Sequence, residues 1–193
     1  MTSSGRSPTL RVDNLSVAYR HNGYELNALR EVSLDLEAGS VDGLVGESGS
    51  GKTTLALAIM GYLPSAAVVR HGRIIFQERN LLQCSEGEMR ALWGKEIAYI
   101  PQNPESSLNP SLRVGEQLSE GIRFHQGYTS TEAHEATLDF FEKVRLPDPK
   151  RVAASYPHQI SGGMQQRVLI AMALSAGACI AHQDIALAVE PKE

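Results

Sequence analysis

Cysteine is scarce in this chain: Cys84 and Cys179 stand far apart in 193 residues. Without any C-x-x-C spacing they exclude a disulfide framework and a zinc finger, and they fit a reducing cytoplasm. Basic charge is not in excess either, since 18 Lys and Arg against 22 Asp and Glu leave a net charge of −4. The basic stripe of a nucleic-acid-binding domain is missing, so no nucleic-acid partner is expected. No window approaches the roughly eighteen uninterrupted apolar residues of a membrane span. The opening Met1-Thr2-Ser3-Ser4-Gly5-Arg6-Ser7-Pro8 also lacks the apolar run of a signal peptide. Any membrane spanning must therefore come from other subunits. What is present, 42% apolar and 21% charged residues, suffices for a real hydrophobic core.

Residues 1–9 read as a disordered tail. From Leu10 to Tyr19, and again from Ala28 to Leu36, apolar and polar residues alternate as in half-buried strands, with a turn at Asn22-Gly23. Val41 to Val45 reads as a short buried strand, although Asp42 is foreign to such a strand and fits only its exposed start. Thr54 to Leu63 is apolar nearly all round, as in a buried helix that Pro64 ends. Gly72–Phe76 and Ile97–Ile100 read as further strands, and Ser85–Arg90 as a short helix with acidic residues in its first turn. Thr129-x-x-Glu132 is a capping box, opening a helix whose apolar positions Ala133, Ala136, Phe140, Phe141 and Val144 follow the 3.6 period. Pro147 and Pro149 close it, and Met164–Leu174 is a third apolar helix. Strands around a glycine-rich loop, followed by a helical block, predict an α/β nucleotide-binding core with a helical insertion.

The loop itself is Gly46-Glu47-Ser48-Gly49-Ser50-Gly51-Lys52-Thr53, with the spacing G-x-x-x-x-G-K-[ST] between an apolar strand and an apolar helix. Glycines allow several N–H groups to converge on one anion in conformations that a Cβ obstructs. Lys52 supplies a point charge for the β- and γ-phosphates, and the Thr53 hydroxyl suits Mg²⁺. The helix starting near Thr54 turns its positive end to the phosphates. Chance would produce the four specified positions in roughly one chain of this length in two hundred. ATP with Mg²⁺ is thus the expected cofactor, although a P-loop alone leaves kinases, GTPases, helicases and transporters open.

Further segments narrow the choice. Ser161-Gly162-Gly163-Met164-Gln165-Gln166-Arg167, after Tyr156-Pro157-His158-Gln159-Ile160, resembles the signature motif of ABC transporter ATP-binding subunits. It reads as a helix N-terminus, a second anion site on the same chain. In that family the site faces the γ-phosphate held by a second subunit, so two nucleotides lie between two P-loops and two signatures. Ala98-Tyr99-Ile100-Pro101-Gln102 looks like the family's Q-loop, which implies for Gln102 a contact to Mg²⁺ and the attacking water. Tyr19 stands where the family places an aromatic ring on adenine. Ile59-Met60-Gly61, Ser107-Leu108-Asn109-Pro110, Val114-Gly115-Glu116-Gln117 and Tyr156-Pro157-His158-Gln159 resemble the dipeptide, oligopeptide and nickel importer branch, over roughly residues 10–175.

The resemblance implies a P-loop core of ABC type in residues 10–193. An antiparallel β subdomain would lie at its N-terminal side and a helical subdomain at about 108–170. The implied nucleotide contacts are Tyr19, the loop Gly46 to Thr53, Thr54, and Ser161, Gly162, Gly163, Met164 and Gln165. Lys52 and Gln102 take catalytic roles, and Thr53 and Gln102 hold the metal. Implied partners are transmembrane permease subunits, a second ATPase subunit and, indirectly, a solute-binding protein, at the cytoplasmic face of the membrane. The implied function is an ATPase that drives uptake of peptides or related solutes.

After Ser175 the pattern departs. The family continues with an apolar strand ending Asp-Glu-Pro, which supplies the metal-ordering Asp and the general base. Counted without gaps, Asp184 meets the Asp position, but His182-Gln183 interrupts the strand and Ile185 replaces the base. In the alternative register Glu190-Pro191 mimics Glu-Pro, but Val189 replaces the Asp. The expectation is an atypical tail over 176–193, with the C-terminal part of the core missing. The competing function is a module that binds ATP without hydrolysing it.

Overall fold

Aliphatic and β-branched residues crowd Leu10–His21, which forms strand β1 and returns through Asn22-Gly23 as β2, Tyr24–Leu36. Both turn residues are left-handed, with φ of 48° and 81°, the conformation whose twist suits a two-residue hairpin. This computed structural model describes residues 9–101, 103–177, 180–183 and 186–189. The chain divides into two units, Met1–Trp93 with Cys179–Glu193, and Gly94–Ala178.

In the first unit, β3 (Val41–Gly43), helix α1 (Lys52–Ile59), β4 (Ala67–Phe76), β5 (Arg79–Asn80) and α2 (Glu86–Leu92) follow the hairpin. An antiparallel sheet of order β2-β1-β4-β5 carries the core residues Leu10, Val12, Leu15, Val17, Ile74 and Phe76. The alternation is broken midway by a bulge, where Asn14 and Glu31 are both left-handed at φ 49°. Serines satisfy the freed backbone donors: Asn14 N–H donates to Ser33 Oγ at 2.9 Å, and Glu31 N–H to Ser16 Oγ at 2.8 Å. Gly72 passes so close that a Cβ would lie 2.5 Å from Leu15 Cα, so β4 can hug the bulge only with glycine there.

Helix α1 is shorter than its apolar run predicts. Gly61 is left-handed, its N–H donates to Ala58 O at 3.1 Å, and Tyr62 N–H donates to Leu57 O at 2.8 Å. This Schellman pattern stops the helix at Ile59, five residues before the proline that was expected to end it. Helix α2 opens on a capping box between Ser85 and Glu88. The Ser85 backbone N–H, and then its hydroxyl, hold the Glu88 carboxyl below its ordinary range. Met89 packs on Gly61, and Trp93 Nε1 donates to Met60 O at 2.9 Å, so α2 seals the end of α1.

The second unit holds β6 (Ile97–Tyr99) and helices α3 (Val114–Gln126), α4 (Ser130–Lys143), α5 (Pro149–Ala153) and α6 (Gly162–Ser175). Helices α3, α4 and α6 pack on one another around buried Leu118, Ile122, Ala133, Phe141, Val168 and Ala171. The Thr129–Glu132 capping box forms as the spacing predicts, and the Thr129 hydroxyl, then its N–H, keeps the Glu132 carboxyl low. Pro149 opens a helix instead of closing one, because its fixed φ and missing N–H suit the first helical position. The Asn109 and Gln117 positions of the branch motif are clamped together. Asn109 N–H donates to Gln117 Oε1 at 2.9 Å, and Gln117 Nε2 returns to Asn109 O at 3.0 Å and Leu112 O at 3.1 Å. Gly115 allows α3 to meet α5, since a Cβ there would sit 2.7 Å from that of Ala153.

Back in the first unit, β7 (Ile180–Gln183) and β8 (Ala186–Val189) form an antiparallel hairpin, and β8 also pairs with β3. His182 and Gln183 therefore lie within a strand that they were expected to interrupt. Strand β3 differs too: it sits at a sheet edge with Val41 72% exposed, so it is not the buried strand its apolar character suggested. Asp42 is tolerable there because it is exposed and accepts from Ser40 Oγ.

Candidate nucleotide site

Three glycines shape the loop before α1, each for its own reason. A Cβ on Gly46 would lie 2.6 Å from Ser50 Oγ, inside the loop's own curl. Gly49 is left-handed at φ 83°. Gly51, at φ 95°, combines both constraints, because its Cβ would lie 2.6 Å from the Ala28 carbonyl oxygen of β2. The turn is held by Ser50 N–H donating to Glu47 O at 3.1 Å.

Lys52 arches over this loop. Its ammonium donates to Gly46 O at 2.7 Å, Glu47 O at 2.9 Å and Ser50 Oγ at 3.2 Å. The cation is thus pinned above the curl by neutral acceptors, with no carboxylate among its partners in the described residues. Gly51 caps α1 with backbone alone: no side chain accepts from the first-turn N–H groups, and no acidic residue stands in that turn. Such a helix end concentrates partial positive charge and leaves donors for an anion. Loop, cation and helix end converge on one place that suits a phosphate chain.

Thr53 is exposed, and its hydroxyl makes no hydrogen bond among the described residues. A hard oxygen donor at this place fits Mg²⁺. The described residues contain no cluster of three or more His, Cys, Asp or Glu that could cage a metal. Thr53 could therefore serve as one protein ligand to such an ion. Thr54, by contrast, is buried, and its Oγ1 lies 3.4 Å from the Tyr19 hydroxyl. That contact brings the end of β1 to the flank of the P-loop helix. Glu47 and Ser48 are exposed on the loop.

The second predicted anion site belongs to the other unit. Ser161 is the N-cap of α6, with Met164 N–H donating to its Oγ at 3.3 Å and Gln165 N–H to its carbonyl at 2.9 Å. Gly162 and Gly163 are exposed, and a Cβ on either would meet nothing within 4 Å. The chain itself thus gives no packing reason for glycine at either position. Met164 is half-buried. Gln165 turns inward: it is only 4% exposed, and its Nε2 donates to Pro157 O at 2.9 Å and Ile160 O at 3.5 Å. It fastens the turn that leads into Ser161, a positioning role that its place in the signature motif did not reveal. Gln102 lies outside the described residues, as do Asp184, Ile185, Glu190 and Pro191.

Comparison with known proteins agrees with this geometry. The family model described as "ABC transporter" matches residues 29–187, continuing past Ser175 into the tail. The chain is similar to the glutathione import ATP-binding protein GsiA of Salmonella paratyphi A, with 44% identity over 181 residues, 91% of this chain and 29% of that protein. It is also similar to the dipeptide transport ATP-binding protein DppD of Bacillus subtilis, with 43% identity over 94% of this chain and 53% of that protein. The chain thus spans from under a third to about half the length of these relatives. Among solved structures, the dimeric ATP-binding cassette MJ0796 in a post-hydrolysis state with ADP and Pi matches with a TM-score of 0.75. That match has 25% identity and covers 89% of this chain and 72% of that one. An α/β fold of this kind, with a formed P-loop and a capped signature helix, places the chain in the ABC transporter family.

Proposed function

We propose that this chain binds ATP with Mg²⁺ and serves as the ATP-binding subunit of an importer for peptides or related solutes. The observation that carries the reading is the P-loop: a glycine curl, an ammonium pinned above it and an uncapped helix end directed at one anion site. Lys52 exchanges its neutral carbonyl partners for phosphate oxygens, which bind a cation more strongly. The first-turn N–H groups of α1 take the remaining phosphate charge, and Thr53 with Gln102 would hold the metal. Bound magnesium supplies charge neutralisation for the phosphates.

Ser161, Gly162 and Gly163 act on a nucleotide held by a second ATPase subunit in head-to-tail pairing. Support comes from the glycines that the chain's own packing does not require, and from a neighbour whose structure is described as dimeric. Pairing on ATP and separation after hydrolysis would be passed to membrane-spanning permease subunits at the cytoplasmic face. No helix among the described residues is long and apolar enough to cross a membrane. The importer class is suggested by relatives named for glutathione import and dipeptide transport.

The test is ATP hydrolysis by purified protein at increasing concentration. Head-to-tail pairing predicts activity that rises with the square of concentration and is lost in Ser161→Ala. Activity linear in concentration and indifferent to Ser161 would refute the paired mechanism. Binding without turnover would leave only the nucleotide-binding part.

A further inference from the structure

Helices α3, α4 and α5 enclose an open cavity of about 490 Å³ within the second unit. Its floor is made of small residues, Gly115 against Ala153, where α3 and α5 come closest. Its walls are long and charged. Arg113, the N-cap of α3, and Arg123 stand at the two ends of a stripe, with Glu116 and Glu120 between them. Spacings of three, four and three put this stripe on one face of the helix. Lys150 joins it from α5, and His134 and Ser130 of α4 complete the rim with groups that donate or accept hydrogen bonds.

These charges are not spent on one another. Arg113 with Glu116, and Glu120 with Arg123, have a spacing at which opposite charges on a helix usually meet. Yet none of the five charged side chains has an ion-pair partner among the described residues. Glu116 Oε2 accepts from the Arg113 backbone N–H at 3.1 Å, and Glu120 accepts from no described residue. The two glutamates, one turn apart, repel each other, and a cation between them would relieve that. Three cations against two carboxylates leave the cavity one positive charge in excess.

A bare oxyanion would meet both carboxylates at close quarters, so it matches only part of the wall. We propose that the cavity binds a short peptide that carries two carboxylates and one ammonium group. The guanidinium forks of Arg113 and Arg123 take the carboxylates, Lys150 adds a point charge, and Glu116 and Glu120 share the ammonium. The ligand's single net negative charge complements the excess on the walls. The volume lies within the range of small-molecule sites, about 300–1,000 Å³. Recognition uses residues of this unit alone; its link to uptake, with delivered cargo as the occupant, rests on the importer reading above.

Calorimetric titration of the full chain with glycylglutamate, glutarate and glycyl-lysine tests the charge pattern. Glycylglutamate has both kinds of group, glutarate lacks the ammonium, and glycyl-lysine reverses the net charge. Glycylglutamate should bind saturably and at least about fivefold more tightly than either of the others. Arg123→Gln should weaken it about three- to tenfold. Glu120→Gln should weaken glycylglutamate and tighten glutarate, opposite signs that a merely structural loss does not produce. Both positions are exposed, and a melting curve checks that each variant is folded. No saturable binding of glycylglutamate, or glutarate binding as tightly, would overturn the proposal. So would Glu120→Gln tightening both ligands, the behaviour of a simple anion patch. Lys52→Ala should weaken ATP and leave glycylglutamate within about twofold; equal loss of both would overturn the cavity as a site of its own. A chain that bound glycylglutamate but not ATP would refute the nucleotide reading and support the cavity.

Discussion

Alanine at Gly162 should make the protein more stable and less able to pair. Gly162 is the first residue of α6, it is not left-handed, and a Cβ there meets nothing within 4 Å. Replacing glycine by alanine at a compatible helical position stabilises by about 0.4–1 kcal/mol, mainly by restricting the unfolded chain. For a protein of this size each kcal/mol moves Tm by about 2–4 °C, so the expected rise is about 1–4 °C. In the head-to-tail pairing proposed above, the same methyl group would stand where the nucleotide of a second subunit approaches the α6 N-terminus. A loss of about tenfold in nucleotide-dependent pairing corresponds to roughly 1.4 kcal/mol, a modest steric cost. Differential scanning calorimetry gives Tm, and sedimentation velocity with ATP gives the pairing. A raised Tm with undiminished pairing would refute the claim that these glycines serve an approaching nucleotide. A lowered Tm would refute the reading of the local packing.

Gly51→Ala should act in the opposite sense. A Cβ there meets the Ala28 carbonyl at 2.6 Å in a left-handed backbone, so both thermal stability and phosphate binding should fall. The conformational part alone is about 1–2 kcal/mol, readable as a lowered Tm of several degrees. In acid, the capping boxes should fail. Glu132 is held low first by the Thr129 hydroxyl and then by its N–H. Its contribution is present above the ordinary Glu value of about 4.3. It is lost as pH falls through the lower folded value, because the unfolded state then binds the proton more readily. Glu132→Gln should flatten that part of the stability–pH curve. An unchanged curve would argue against the box as a source of acid sensitivity.

Much of the geometry of the glycine loop and of the caps was legible in the sequence because it is local. Glycines, a lysine and a threonine at fixed spacing determine one loop, and the capping box at Thr129 needs only four residues. Features that depend on distant partners were hidden. Nothing near Asn14 or Glu31 announces a bulge, since Ser16 and Ser33 satisfy the freed donors only once the strands are paired. Gln165 looks like part of a ligand-binding motif, and only its contacts to Pro157 and Ile160 show what its side chain holds. Gly61 ends α1 through bonds to Leu57 and Ala58, whereas Pro64 was the more conspicuous breaker. Strand β3 was misjudged because its apolar composition says nothing of its edge position, where its faces stay exposed.

Equilibrium binding of ATP with Mg²⁺ to the purified chain, compared with its Lys52→Ala variant, tests the central claim most directly. Saturable binding should appear and weaken by about 10- to 150-fold in the variant, the scale of a lost charged hydrogen bond of about 1.5–3 kcal/mol. Absence of saturable binding, or equal affinity in both proteins, would contradict the assignment of residues 46–53 as the phosphate site.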